Sequence, residues 1–107
     1  MFSCDIMEKN GKKEIAMFWK NILPCNFEAE VCKAKGLCVI PIGCVEAHGV
    51  HLPLGCDTIW GTGLVEEAAQ KEKVVVFPEF YFGEKSGAGE YPGTIIFPTT
   101  LIWQLLE

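Results

Sequence analysis

An α/β layered domain built on a parallel sheet is the fold class this sequence predicts, from three observations. Residues 37–42 (LCVIPI) and 74–77 (VVVF) are continuous apolar runs of strand length, too uniform for strands with one wet face. Each run is preceded by a segment of helical pattern, so helices and strands alternate along the chain. A polar, glycine-containing loop follows the first run, at the strand end where open α/β sheets place their ligands.

The elements follow in order. Residues 14–23 are apolar but mixed in period, and fit either a short helix or an irregular lead-in that Pro24 ends. Asn26 suits an N-cap for a helix to about Lys35, with Gly36 as its stop. The run 37–42, apolar on both faces, predicts a central strand. A second helix is predicted from Asp57 or Thr58 to Gln70, with Ile59, Trp60, Leu64, Val65, Ala68 and Ala69 mainly on one face. Lys71-Glu72-Lys73 leads into the strand at 74–77, and Gly83, Gly87, Gly89 and Gly93 mark residues 83–93 as a loop. Thr94–Phe97 reads as a short third strand, and Thr99 or Thr100 can cap a helix starting at Leu101. No glycine, basic residue or polar tail closes that last helix before Glu107, so the expectation is a domain cut short.

Composition narrows the function classes. The chain has 107 residues, 50% of them hydrophobic and 21% charged, which gives a single globular domain core material. A net charge of −5, with every basic residue a lysine, offers no basic face or arginine fork for nucleic acid, so no such partner is expected. No apolar run approaches about 18 residues, so no membrane span is expected. Asp5, Glu8 and Lys9 interrupt Met1–Asn10, which lacks the apolar stretch of a signal peptide, so the expected compartment is the cytoplasm. The six cysteines form no C-x-x-C pair and several lie in apolar runs, which favours buried free thiols over disulfides or a zinc knot.

Candidate chemistry is concentrated between Glu46 and Asp57. Both histidines of the chain, His48 and His51, fall in this loop, and Asp57 is one of only two aspartates. Imidazole nitrogen and carboxylate oxygen together suit zinc, manganese or iron, and a carboxylate can bridge two ions. A solvated polar loop is the competing reading, because H-x-x-H and E-x-H spacings also arise by accident. H-E-x-x-H on a helix is absent.

The run VIPIGCVEAHGVHLPLGCDT, Val39 to Thr58, resembles the signature of the creatininase (creatinine amidohydrolase) family. A second match follows at the right distance: Phe77-Pro78, then Tyr81-Phe82-Gly83, then Tyr91-Pro92-Gly93-Thr94-Ile95. The resemblance covers about Trp19 to the C-terminus, dividing the chain into a lead-in (residues 1–18) and the N-terminal part of a creatininase-like domain (residues 19–107). It implies an α/β/α fold, incomplete here, and a site for two divalent ions (Zn, Mn or Fe) in which Glu46 binds one ion, His48 the other, and Asp57 bridges them. His51 matches a further family histidine with a supporting role. Ser86, Gly87, Gly89 and Glu90 lie where the family shapes its substrate pocket, although Ala88 and Glu90 stand where many members carry a His or a polar amide. Cys44 and Cys56 flank the ligands and read as supporting thiols. The implied reaction is hydrolysis of a C–N bond in a cyclic or formyl amide of small size. The family completes its site with a later histidine and carboxylate that this chain lacks. The implied partners are therefore a missing C-terminal segment or further copies in a homo-oligomer, and the alternative is a truncated, non-catalytic metal-binding or structural remnant.

Overall fold

The computed structural model describes residues 17–84 and 91–107. Its elements are β1 (Met17–Phe18), α1 (Phe27–Lys33), β2 (Cys38–Val39), α2 (Cys56–Ala69), β3 (Val75–Val76) and α3 (Thr99–Leu106). Two short 3-10 turns, Trp19–Asn21 and Pro24–Asn26, join β1 to α1.

All three strands are parallel, in the spatial order β1-β3-β2. Met17 and Cys38 both face Val75 across the sheet, and Phe18 and Val39 both face Val76. The central strand is thus β3, where Val75 and Val76 are only 2% and 1% exposed. The predicted central strand at 37–42 instead forms the β2 edge among the described residues, with Leu37, Ile40 and Ile42 exposed. An apolar run on both faces reports a strand that wants cover on both faces, but not which neighbours it has. The third strand is Met17–Phe18, inside the lead-in segment, and not Thr94–Phe97. That later segment runs beside the functional loop without extending a ladder, held by the Ile95 N–H donating to the Val45 carbonyl at 2.9 Å.

Helix ends follow local chemistry. Asn26 precedes α1 but makes no side-chain cap; Pro24, with its preset φ, starts the preceding turn. Past α1, Lys35 (φ 53°) and Gly36 (φ 74°) reverse the chain, and the Gly36 N–H donates to the Val31 carbonyl at 2.9 Å. Helix α3 begins at Thr99 with Pro98 as N-cap, while the Thr99 hydroxyl donates to Glu84 at 2.8 Å.

The orientation of α2 departs from expectation. Ile59, Trp60 and Leu64 are exposed, Trp60 by 72%. Ala68 is exposed too, whereas Val65 and Ala69 of the expected face do turn inward, joined by Thr58 and Thr62 in one helical stripe. Thr58 meets Gly43 of the loop after β2, and among the described residues the hydroxyls of Thr58 and Thr62 are buried without partners. The core is correspondingly small: Ala29, Ala34, Val74, Val75, Val76, Phe80 and Ile102. Trp19 bridges α1 and the end of β3, its ring 4.7 Å from Phe27 and 5.3 Å from Phe77. Among the described residues Cys25, Cys32, Cys38, Cys44 and Cys56 are all free, as expected, but the first three are exposed where burial was expected. No helix of the described residues is long and apolar enough to cross a membrane.

Candidate metal centre

The centre lies beyond the end of β2, where backbone pairing carries the chain toward the N-terminus of α2. The Phe80 N–H donates to the Pro41 carbonyl at 2.9 Å, and the Gly43 N–H donates to the Phe80 carbonyl at 2.8 Å. Gly43 then passes so close to α2 that a Cβ there would overlap the Thr58 hydroxyl and lie 2.6 Å from the Thr58 backbone nitrogen. Only glycine permits that approach, and it sets Cys44 and Glu46 beside Asp57 in the first turn of α2. The loop closes on itself through the Glu46 N–H, which donates to the Leu54 carbonyl at 2.9 Å.

A second segment braces the loop from outside. The Ala47 N–H donates to the Thr94 hydroxyl at 3.0 Å. Gly93 adopts φ 83° with its α-carbon against Leu54, where a Cβ would overlap that side chain. Sequence reasoning did not assign Thr94 this role: the Tyr91–Ile95 motif was legible, but a hydroxyl accepting a distant backbone N–H leaves no local signal.

Three of the expected residues meet. His48 Nε2 lies 3.3 Å from Glu46 Oε1 and 3.4 Å from Asp57 Oδ1. Its Nδ1 lies 3.2 Å from the Glu46 backbone carbonyl. A carbonyl can only accept, so Nδ1 carries the proton there, and Nε2 points at two carboxylate oxygens. Lone pairs facing lone pairs require a cation or a proton between them. The His48–Asp57 spacing fits a shared metal: oxygen and nitrogen donors bound tetrahedrally to one ion at about 2.0 Å are about 3.3 Å apart.

Two thiols join this arrangement. Cys44 Sγ donates to Asp57 Oδ2 at 3.2 Å, and Cys56 Sγ lies 3.9 Å from Asp57 Oδ1. The donor atoms of Cys44, Glu46 and Asp57 all lie within 4.8 Å of one another, as do those of His48, Cys56 and Asp57. All five residues are half-buried. Burial, then the hydrogen bond to Asp57 and the nearby charges of Glu46 and Asp57, push the Cys44 thiol up to about 12. With no cation present, Cys44 is a protonated donor.

Other expected residues lie elsewhere. His51 is exposed and outside both donor sets, its ring folded back toward Gly49, whose φ is 67°. Ser86, Gly87, Gly89 and Glu90, expected to shape a substrate loop, lie outside the described residues. Tyr81 and Tyr91 are exposed, and the Tyr81 ring comes near Gly55 just before α2.

Comparison with known proteins bears on the family and the fold. The family model for creatininase (creatinine amidohydrolase) matches residues 25–107. The creatinine amidohydrolase of Pseudomonas putida is 29% identical, over 64% of this chain and 28% of its own length. A crystal structure of creatinine amidohydrolase (creatininase) superposes with a TM-score of 0.78 at 22% identity, covering 85% of this chain and 37% of the other. A point mutant of creatininase described as Zn-Zn type gives a TM-score of 0.77 at 22% identity, covering 83% of this chain and 37% of the other. The chain therefore spans about a third of the length of these relatives.

Proposed function

The chain belongs to the creatininase family, and from that premise we propose that it is the metal-binding part of a metal-dependent amidohydrolase acting on a C–N bond of a small cyclic or formyl amide. The observation that carries this reading is the convergence of Glu46 and Asp57 on His48 Nε2, at 3.3 and 3.4 Å. Two divalent ions of zinc, manganese or iron, when bound, supply the Lewis acidity that makes water nucleophilic near neutral pH and polarises an amide carbonyl.

The chain's own residues would hold the ions. Glu46 and His48 would take one ion each, and the Asp57 carboxylate would be shared by both. The Glu46 backbone carbonyl holds the His48 tautomer so that Nε2 keeps a free lone pair. Asp57 sits in the first turn of α2, at the helix end that attracts anions. His51 has a supporting role at the rim, and the loop containing Ser86, Gly87, Gly89 and Glu90 is proposed to contact substrate. Glu46, His48 and Asp57 are few donors for two ions, so further ligands from a C-terminal segment or another copy belong to the proposal. A cytoplasmic setting is also proposed, since the free thiols suit a reducing compartment.

The test is metal content and turnover after loading with zinc or manganese. The parent is expected to retain the ion through desalting and to hydrolyse creatinine or a formamide. Asp57→Ala is expected to lose both. Retention without turnover favours the non-catalytic remnant, and no retention by the parent defeats the metal reading itself.

A further inference from the structure

Cys44 and Cys56 are not spread at random around the loop. Each sits against a different oxygen of the same carboxylate, Cys44 on Oδ2 and Cys56 on Oδ1 of Asp57. Each completes a separate three-residue donor set, Cys44 with Glu46 and Cys56 with His48. The other described thiols, Cys25, Cys32 and Cys38, are exposed and belong to neither set.

The distances suit ligation. A thiolate bound at about 2.3 Å and a carboxylate oxygen bound at about 2.0 Å on one tetrahedral ion stand about 3.5 Å apart. The two sulfur–oxygen separations, 3.2 and 3.9 Å, bracket that value. The count of donors points the same way. Glu46, His48 and a shared Asp57 give two ions only two ligands each, whereas one thiol apiece raises both to three and leaves an open position.

We propose that Cys44 and Cys56 are metal ligands, so that a Cys44-Glu46-Asp57 set and a His48-Cys56-Asp57 set share one carboxylate and prefer thiophilic divalent ions. The inference rests on the metal-binding reading above and changes its ligand chemistry. On binding, each sulfur gives an electron pair to the ion and its proton passes to water. Thiolate ligands select zinc or cadmium over manganese, which prefers oxygen.

The experiment is titration of the full chain with Co(II) as a spectroscopic stand-in for zinc, with equilibrium dialysis for stoichiometry. The parent is expected to show a near-ultraviolet sulfur-to-cobalt charge-transfer band. That band should fall by about half in Cys44→Ser and in Cys56→Ser and vanish in the double variant. Cadmium affinity should drop at least about tenfold in the double variant, the lower end of what even outer-shell changes cost. Should the serine variants misfold, alkylation mapping of the parent replaces them: zinc should shield Cys56 and leave Cys25 and Cys32 reactive. Cobalt bound with no charge-transfer band, a band that survives in the double variant, or zinc that fails to shield Cys56 overturns thiol ligation while leaving a nitrogen and oxygen site. Failure of the parent to hold cobalt at all overturns both.

Discussion

At the scale of single residues, the feature with most chemical consequence is the proton on Cys44. Burial and the hydrogen bond to Asp57 push that thiol up to about 12, so it stays protonated at pH 8. Thiolate is the reactive form, so metal-free Cys44 is expected to react with iodoacetamide far more slowly than exposed Cys25 or Cys32 at that pH, as peptide mapping would show. Equal labelling of the three would mean that Asp57 does not hold the thiol proton. Much of the candidate site was readable beforehand, because both histidines and one of the two aspartates are crowded into one loop with Glu46. What could not be read was that Nδ1 of His48 turns to the Glu46 carbonyl, or that the thiols divide between the two oxygens of Asp57. Those depend on the close pass of Gly43 over Thr58, residues far apart in any local window.

Between elements, that close pass is the joint on which the site hangs. Gly43→Ala would drive a methyl into the Thr58 side chain and backbone. Overpacking of this kind costs about 2 kcal/mol, and chemical denaturation should show a lower midpoint together with weaker metal retention. The lead-in turn is tied to the segment after β3 more loosely, by Lys20 and Glu79 at 2.7 Å. The hydrogen bond from Lys20 holds the Glu79 carboxyl below its usual range. A depressed carboxylate stabilises the fold above its unfolded pKa, and that contribution is lost as pH falls through the folded value. Because the pair is partly solvated, Glu79→Gln is expected to cost about 0.5 kcal/mol at pH 7 and nothing once the carboxyl is protonated in both states. Helices α1 and α2 and the two apolar strands were legible from periodicity and run length. The inward face of α2 was legible only in part: hydrophobicity picked out Val65 and Ala69 correctly but also Ile59, Trp60 and Leu64, and passed over Thr58, which meets Gly43, and Thr62. Strand β1 was hidden for a related reason: two residues are too few to show any period.

For the whole molecule, the balance of surface decides behaviour in solution. Ile59, Trp60 and Leu64 on α2, and Leu101, Trp103 and Leu105 on α3, are among the apolar groups left in water. Concentration-dependent association is therefore expected in sedimentation velocity, and Trp60→Glu should shift the distribution toward smaller species. A single monomeric boundary at every concentration would contradict it. The order of the sheet has a kinetic consequence of its own. β3 is made after β1 and β2 yet lies between them, so neither gains its ladder until Val75 and Val76 insert. Both pairings close long loops, Met17 to Val75 and Cys38 to Val75, before any sheet energy is returned. During synthesis the first two strands emerge unmatched, and folding waits on a single late entry rather than growing outward from a hairpin.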